Sequence, residues 1–155
     1  MIARRAIPDE DHVSRFVPKK RQNRHPETDA FQGLSIAACE LRQTDDGGLS
    51  VTWIEHFGPY GTQSKRAAAI AYRASLASRR LPPQAAFAYA QVSQIKAAAA
   101  RYDRVVRVVW DPVDGNQGHA EVRHFTDDDI RLLDLLAAEV FSDADIVGEM
   151  RLPPS

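Results

Sequence analysis

Residues 104–126, RVVRVVWDPVDGNQGHAEVRHFT, hold the chain's densest apolar run beside its densest cluster of ionisable side chains. The nearly continuous apolar run at 105–110 is typical of a buried strand. Turn-forming residues follow at 111–118, and polar and apolar side chains then alternate from 119. The stretch therefore predicts a β-hairpin at the centre of the fold. Its predicted core residues are Val106, Val108 and Trp110.

Length and composition indicate one domain with a substantial core, since the chain has 155 residues of which 44% are hydrophobic. No apolar run approaches the roughly 20 residues of a membrane span, and the charged start MIARRAIPDEDH is unlike a signal peptide. The single cysteine, Cys39, excludes an internal disulfide and a cysteine-built zinc site. We expect a cytoplasmic protein in which Cys39 is a buried small residue rather than a reactive thiol.

Charge is distributed unevenly although the net charge is −1. Residues 1–25 hold seven Lys and Arg against three Asp and Glu, whereas residues 111–155 hold three against eleven. Such polarity can orient a partner, or it can be an uneven solvated surface. The basic residues that could contact phosphate are Lys19, Lys20, Arg21 and Arg24. No aromatic residue interleaves with them, so we expect weak nucleic-acid binding at most.

The order of patterns predicts a single α+β domain, with a mixed or antiparallel sheet packed by two longer helices and one short helix. Residues 1–30 read as a basic, proline-containing arm with a short edge strand at 12–17, residues 31–141 as the α+β core, and residues 142–155 as a loosely held tail. Within the core we predict strands at 49–57 and 86–92, and helices at 64–80, 94–102 and 127–141. Residues 31–42 fit a strand or a short helix, and residues 84–102 also fit one long helix.

Two details of these elements are open to a structural check. Glu55 falls on the apolar face of its predicted strand, so it needs a partner or lies at the solvent end; we expect the solvent end. Thr126 is the predicted N-cap of the last helix. The predicted buried stripe of that helix is Ile130, Leu133, Leu136, Ala137 and Val140.

Strand alternation places His119, Glu121 and Arg123 on one face, with His124 on the other. If the protein is an enzyme, His119 is the predicted catalytic histidine, since Glu121 can orient its ring and Arg123 can hold an anionic substrate. A histidine and a glutamate two apart can also ligate a metal, or form a surface cluster with the arginine. We predict no metal and no cofactor.

Two known signatures are similar to short stretches of this chain. His119-Ala120-Glu121 is similar to the first half of a zinc deaminase motif, but the required downstream cysteine pair is missing. The tripeptides at 12–14 and 124–126 are of the His-x-Ser/Thr type found in two-histidine phosphoesterases. In those enzymes one histidine is the base, the other is the acid, and the hydroxyls bind phosphate. This makes His12 a possible second catalytic histidine. Thr126 departs from the pattern because it already fits a helix cap.

The segments PDEDHVSRFVP at 8–18, DAF at 29–31, LSVTWIE at 49–55 and HAEV at 119–122 resemble those of a group of small bacterial proteins. The resemblance assigns no catalytic role to any residue. It does imply a shared site in which several of the matched side chains meet. Those side chains are His12, Arg15, Trp53, Glu55 and His119.

Two functions from different classes follow. The uneven charge and the lack of a complete catalytic motif favour a small bacterial protein-binding subunit, an accessory factor of a multi-protein system with no catalysis of its own. The alternative is a histidine-dependent enzyme acting on phosphate esters or nucleotides. Convergence of His12 with His119 and His124 in one cleft would favour the enzyme, and dispersal of these histidines would favour the binding subunit.

Overall fold

The structure is a computed structural model, and it describes residues 5–40, 48–123 and 129–155. Its strands are β1 Arg5–Ala6, β2 His12–Val17, β3 Gln22–Arg24, β4 Phe31–Leu34, β5 Gly48–Trp53, β6 Ala86–Gln91, β7 Arg107–Trp110, β8 His119–Arg123 and β9 Asp143–Ile146. Its helices are α1 Thr62–Ser75, α2 Val92–Ala100, α3 Ile130–Leu135 and α4 Val147–Met150. A π-helical turn, Leu136–Val140, continues α3, and 3-10 turns span Lys19–Arg21, Ile36–Cys39 and Ile54–Phe57.

Seven strands form one antiparallel sheet in the order β1-β7-β8-β5-β2-β6-β9, and β3 and β4 form a separate two-stranded ribbon. The predicted hairpin is confirmed, with β7 paired to β8 through Val108 and Val122. It lies toward the β1 side of the sheet, where β7 is the second strand, and β5 is the middle strand. The predicted α+β class is likewise confirmed. The strand followed by a helix at 84–102 is correct, and the single long helix is wrong.

Each face of the sheet packs against a different set of helices. One face supplies Val13, Leu49, Val108 and Val122 to a core closed by α2, α3 and the π-helical turn. The other face packs under α1 and α4. The second core contains Ile54, Ala68, Ala69, Phe87, Tyr89, Val147 and Met150.

Strand β2 is an interior strand, so the predicted edge position is wrong. It pairs with β5 on one side and with β6 along its whole length on the other. Val13 and Val17 are fully buried. Polar residues alternate with them along β2, and this alternation is also typical of an edge strand, so the sequence pattern did not indicate an interior position. The correction matters because a central strand can present side chains to both covered faces of the sheet.

Helix α3 begins later than predicted. Asp129 is its N-cap, and the Asp129 carboxylate accepts a hydrogen bond from the backbone N–H of Leu132. The predicted cap, Thr126, lies outside the described residues. Ile130 is 56% exposed, so its predicted burial is wrong, because the helix turns Leu132 and Leu133 inward instead. The other members of the predicted stripe are buried.

The ends of two other elements also differ from prediction. Helix α1 ends at Ser75, before the predicted end at 80. At its start, Gly61 is the N-cap, and the Gly61 backbone N–H donates to the Ser64 hydroxyl at 3.0 Å. Residues 142–155, predicted as a loose tail, contain β9 and α4. Strand β9 pairs with β6, and the Tyr89 hydroxyl donates to Asp145 at 2.7 Å, so backbone and side-chain bonds both hold this segment.

Candidate functional site

A fork opens in the sheet where β2 and β5 stop pairing. The two strands are paired at Val13–Trp53 and Ser14–Thr52. The next residue of β2, Arg15, is 7% exposed, and its guanidinium donates to the Ala38 carbonyl at 3.1 Å and to the Ser50 carbonyl at 2.8 Å. A buried cation therefore lies at the fork, where it is held by backbone oxygens of two different segments.

A cavity of about 210 Å³, here termed the fork cavity, lies at this point. Its apolar walls include aromatic side chains from β2, β6 and α1. Its polar lining residues are Ser14, Arg15, Lys20, Arg21, Ser50 and Thr52. The cavity therefore combines hydroxyl groups and basic side chains within a small volume.

His119 forms hydrogen bonds through both ring nitrogens. Its Nε2 lies 2.8 Å from the Ser50 hydroxyl, and its Nδ1 lies 2.7 Å from the Asp111 carbonyl oxygen. A carbonyl oxygen can only accept, so Nδ1 carries the proton and the neutral ring has its lone pair at Nε2. The Ser50 hydroxyl therefore donates to Nε2. The Asp111 carboxylate is 3.8 Å from Nδ1, close enough to stabilise a positive charge on the ring.

Local backbone structure fixes Asp111 opposite His119. The Asp111 N–H donates to the His119 carbonyl at 2.9 Å at the end of the hairpin. The connecting loop packs against α1 at Gly115, where φ is +86° and an added Cβ would lie 2.6 Å from the Ala74 carbonyl oxygen. Buried Asn116 ties the same loop to the sheet by donating to the Thr52 hydroxyl at 2.9 Å. Only glycine fits at Gly115 in this packing.

The Ser14 hydroxyl differs from the other polar side chains of this region because it has no hydrogen-bond partner among the described residues. Ser14 is 3% exposed and lines the fork cavity. Among the described residues, its hydroxyl oxygen is the buried side-chain polar atom that has no hydrogen-bond partner. Buried polar groups in folded proteins are nearly always paired, so an unpaired hydroxyl in a cavity wall suggests a ligand contact.

His12 belongs to a separate polar group. The Glu55 carboxylate accepts from the His12 backbone N–H and from its Nδ1, both at 2.8 Å, and the His12 ring stacks on Tyr60 at 3.7 Å. Glu55 lies in the 3-10 turn after β5, because the observed strand ends at Trp53 and not at the predicted residue 57. Of the two alternatives for its carboxylate, the structure shows the partner, since the Glu55 side chain is 16% exposed and is bonded to His12. Burial raises the pKa of Tyr60 above its ordinary value, while the nearby Lys65 opposes the shift.

The predicted site residues therefore form more than one group. His12 and His119 are two strands apart, with Cα atoms roughly 12 Å apart by ordinary strand spacing. The His12 ring is bonded to Glu55, whereas the His119 ring is bonded to Ser50 and Asp111, so these two histidines do not converge. Arg123 donates to Glu121, which lies beside His119 on the strand. Trp53 donates to Asp11 at 2.9 Å and packs against Trp110. His124 lies outside the described residues.

The basic residues near the end of β2 also separate into different roles. Lys19 pairs with Asp29 at 2.9 Å and lowers the pKa of that carboxyl. Arg24 donates to the Gln22 side chain and to the Asp29 and Gln84 carbonyls. Arg21 donates to the Ala37 carbonyl at 2.9 Å. Lys20 and Arg21 line the fork cavity. Lys19 and Arg24 instead contact Asp29, in the connection between β3 and β4 of the two-stranded ribbon.

The sequence analysis named neither Ser50 nor Asp111 as a site residue, and it considered Ser14 only as part of the His-x-Ser tripeptide at 12–14. Ser14 shares a strand face with His12, and the polar face of the 49–57 segment contained Ser50 and Thr52. The sequence does not show the strand order. In the structure β5 lies between β2 and β8, and this order brings their polar faces side by side. In the described ranges, no three His, Cys, Asp or Glu side chains are grouped closely enough to hold a metal ion.

Comparison of the chain with protein-family models, with curated proteins and with solved structures gave no match. Within the described residues, none of the helices has both the length and the apolar character needed to cross a membrane.

Proposed function

We propose that this protein is a histidine-dependent hydrolase of small esters. Ser50 is the nucleophile, His119 is the general base, and Asp111 positions the histidine. One observation carries the proposal: the Ser50 hydroxyl is 2.8 Å from His119 Nε2 while the Asp111 carbonyl holds Nδ1 at 2.7 Å. A nucleophile within reach of a base that a third group orients is the arrangement needed to activate a serine.

The chemistry follows from the proton positions. As the Ser50 oxygen attacks the ester, its proton passes to His119 Nε2, and the ring becomes a cation beside the Asp111 carboxylate. The protonated ring then gives that proton to the leaving alcohol. Water, deprotonated by the same nitrogen, cleaves the ester formed on Ser50 and restores the hydroxyl.

Access to the reacting atoms also supports the proposal. Ser50 is partly exposed and lines the fork cavity, and the His119 side chain is 16% exposed. The hydroxyl can therefore meet a substrate, while the imidazole is largely shielded from water. Shielding strengthens the electrostatic support that the Asp111 carboxylate gives to a charged ring.

Turnover of p-nitrophenyl acetate and p-nitrophenyl phosphate tests the proposal. We expect Ser50→Ala and His119→Ala each to lower kcat by at least about a thousandfold, since neither half of such a pair acts alone. Ser93→Ala is the matched control, because Ser93 lies in α2 and does not line the cavity. Turnover that survives in Ser50→Ala would contradict the assignment of the nucleophile.

A second candidate function is the protein-binding subunit, and an exposed apolar pair favours it. Val105 is 83% exposed and Ile130 is 56% exposed. Their chain neighbours Arg104 and Asp129 form a hydrogen-bonded ion pair at 3.1 Å, so the two exposed side chains lie in the same region of the surface. Exposed apolar side chains that lie together are typical of contact surfaces.

Quantitative pull-down from the native host tests this second candidate. We expect the double variant Val105→Ser, Ile130→Ser to lose a specific protein that both the parent chain and Ser50→Ala retain. Equal recovery with all three proteins would show that the apolar pair is not a binding surface.

A further inference from the structure

We infer that the fork cavity binds the phosphoryl group of a phosphate monoester, which names the substrate class of the hydrolase proposed above and rests on that proposal. Three features of the cavity carry the inference: its charge, the unpaired Ser14 hydroxyl and its small volume. The charge and the unpaired hydroxyl point to an oxyanion rather than to a neutral acyl group, and the volume limits the size of the ligand.

The charge of the cavity favours an anion. Arg15, Lys20 and Arg21 line it, and none of the described lining residues is an Asp or Glu. Arg15 is fixed by the Ala38 and Ser50 carbonyls, so its positive charge is positioned before any ligand arrives. A preorganised cation with little exposure to water attracts a phosphate more strongly than a surface lysine does.

The Ser14 hydroxyl gives the cavity a buried donor with no partner in the described protein. A phosphoryl oxygen is a strong acceptor, and a hydrogen bond to a charged oxygen stabilises more than one between neutral groups. Ser14 and Ser50 both line the cavity, so one phosphoryl group there can accept from Ser14 while it faces the Ser50 oxygen.

The volume of the cavity, about 210 Å³, limits the ligand. Pockets for drug-sized ligands usually enclose about 300 Å³ or more. The fork cavity therefore suits a phosphoryl group with a small alcohol rather than a whole nucleotide.

The proposed reaction balances without a further reactant other than water. The Ser50 oxygen forms a bond to phosphorus, the bond from phosphorus to the alcohol oxygen breaks, and the Ser50 proton passes through His119 to the alcohol. Water then attacks the phosphoserine, its proton passes to His119 and on to Ser50, and inorganic phosphate is released. Inorganic phosphate is thus a product and can be used as a probe.

Titration of the intact protein with inorganic phosphate, followed by calorimetry, tests the inference. We expect Ser14→Ala to weaken binding about tenfold, the loss of one hydrogen bond to a charged group, and Lys20→Ala to weaken it about threefold. Ser14→Ala should not lower the melting temperature, because its hydroxyl forms no bond in the protein. Lys96→Ala, which removes an ion pair with Asp9 on another part of the chain, should bind phosphate as the parent does.

Failure of this inference can be told apart from failure of the hydrolase proposal. Phosphate that binds the parent and Ser14→Ala equally, or does not bind at all, would overturn the inference. Ser50-dependent turnover of the acetate ester without phosphate binding would also overturn it and leave the hydrolase standing. Phosphate binding with the expected pattern but no turnover of either ester would overturn the hydrolase and leave only an anion site.

Discussion

At the scale of single residues, the Asp111 carbonyl determines what His119 can do. It accepts only, so it fixes the proton on Nδ1 and leaves Nε2 to take the Ser50 proton. A side-chain partner that could also donate would not define the tautomer in this way. The backbone bond is therefore more informative about chemistry than the Glu121 and Arg123 side chains on the same strand.

Cys39 illustrates how burial sets the chemistry of a side chain. Burial raises the pKa of the Cys39 thiol to about 12, although the nearby Arg15 opposes the shift. We therefore predict that a disulfide reagent at neutral pH labels Cys39 after unfolding and leaves the folded protein unlabelled. Labelling of the native protein at the rate of a free thiol would contradict the buried position.

The same shift predicts a pH dependence of stability. The folded thiol keeps its proton to about pH 12, whereas the unfolded thiol has the ordinary value of 9.0. The stability that this shift contributes is fully present below about pH 9. The free energy of unfolding should fall as the pH rises from about 9 toward 12, because the unfolded thiol loses its proton first. Burial also raises the pKa of Tyr60 and Tyr89 and acts in the same direction. Denaturant unfolding of the parent and of Cys39→Ala across this range isolates the cysteine, since the variant should show the shallower decline.

At the scale of elements, strand β7 and the residues before it contain a buried and an exposed valine. Val108 is 2% exposed and Val105 is 83% exposed. We predict that Val108→Ala lowers the free energy of unfolding by about 2 kcal/mol through lost burial and a cavity, and that Val105→Ala changes it by less than about 0.5 kcal/mol. Urea denaturation measures both. Equal effects of the two substitutions would be inconsistent with β7 as a core strand.

Elements with strong local patterns could be predicted from the sequence, and their neighbours could not. The apolar run of β7, the turn residues after it and the alternation in β6 all reflect local preferences. The interior position of β2 depends on which strands lie beside it, and no local pattern contains that information. Trp110 shows the same limit, since it was predicted as core and is only partly buried at the edge of the core.

At the scale of the whole molecule, the strand order assembles the candidate site. Ser50 and His119 are 69 positions apart in the chain, yet β5 and β8 are adjacent. Strand β2 lies on the other side of β5 and adds Ser14 and Arg15. The sequence predicted His119 and the interest of Arg15. Ser14 belongs to the His-x-Ser tripeptide at 12–14, but its position beside Ser50 required the sheet, and nothing near Ser50 in the chain marks that serine.

The uneven charge of the molecule bears on nucleic-acid binding. Lys19 and Arg24, two members of the predicted basic arm, are engaged with Asp29 and with backbone oxygens. We predict only weak binding of single- and double-stranded DNA, which should disappear between about 50 and 200 mM salt because few phosphates are contacted. Fluorescence anisotropy with labelled oligonucleotides measures this. Tight binding at physiological salt would contradict it.

The central claim is that His119 activates Ser50 as a nucleophile, and covalent labelling by a fluorophosphonate measures this most directly. The reagent transfers its phosphorus to an activated serine oxygen, and peptide mass spectrometry locates the adduct. We predict one adduct, on Ser50, with a rate that falls at least about a thousandfold in His119→Ala and is unchanged in Ser93→Ala. An unlabelled Ser50, or a Ser50 labelled equally fast without His119, would contradict the claim.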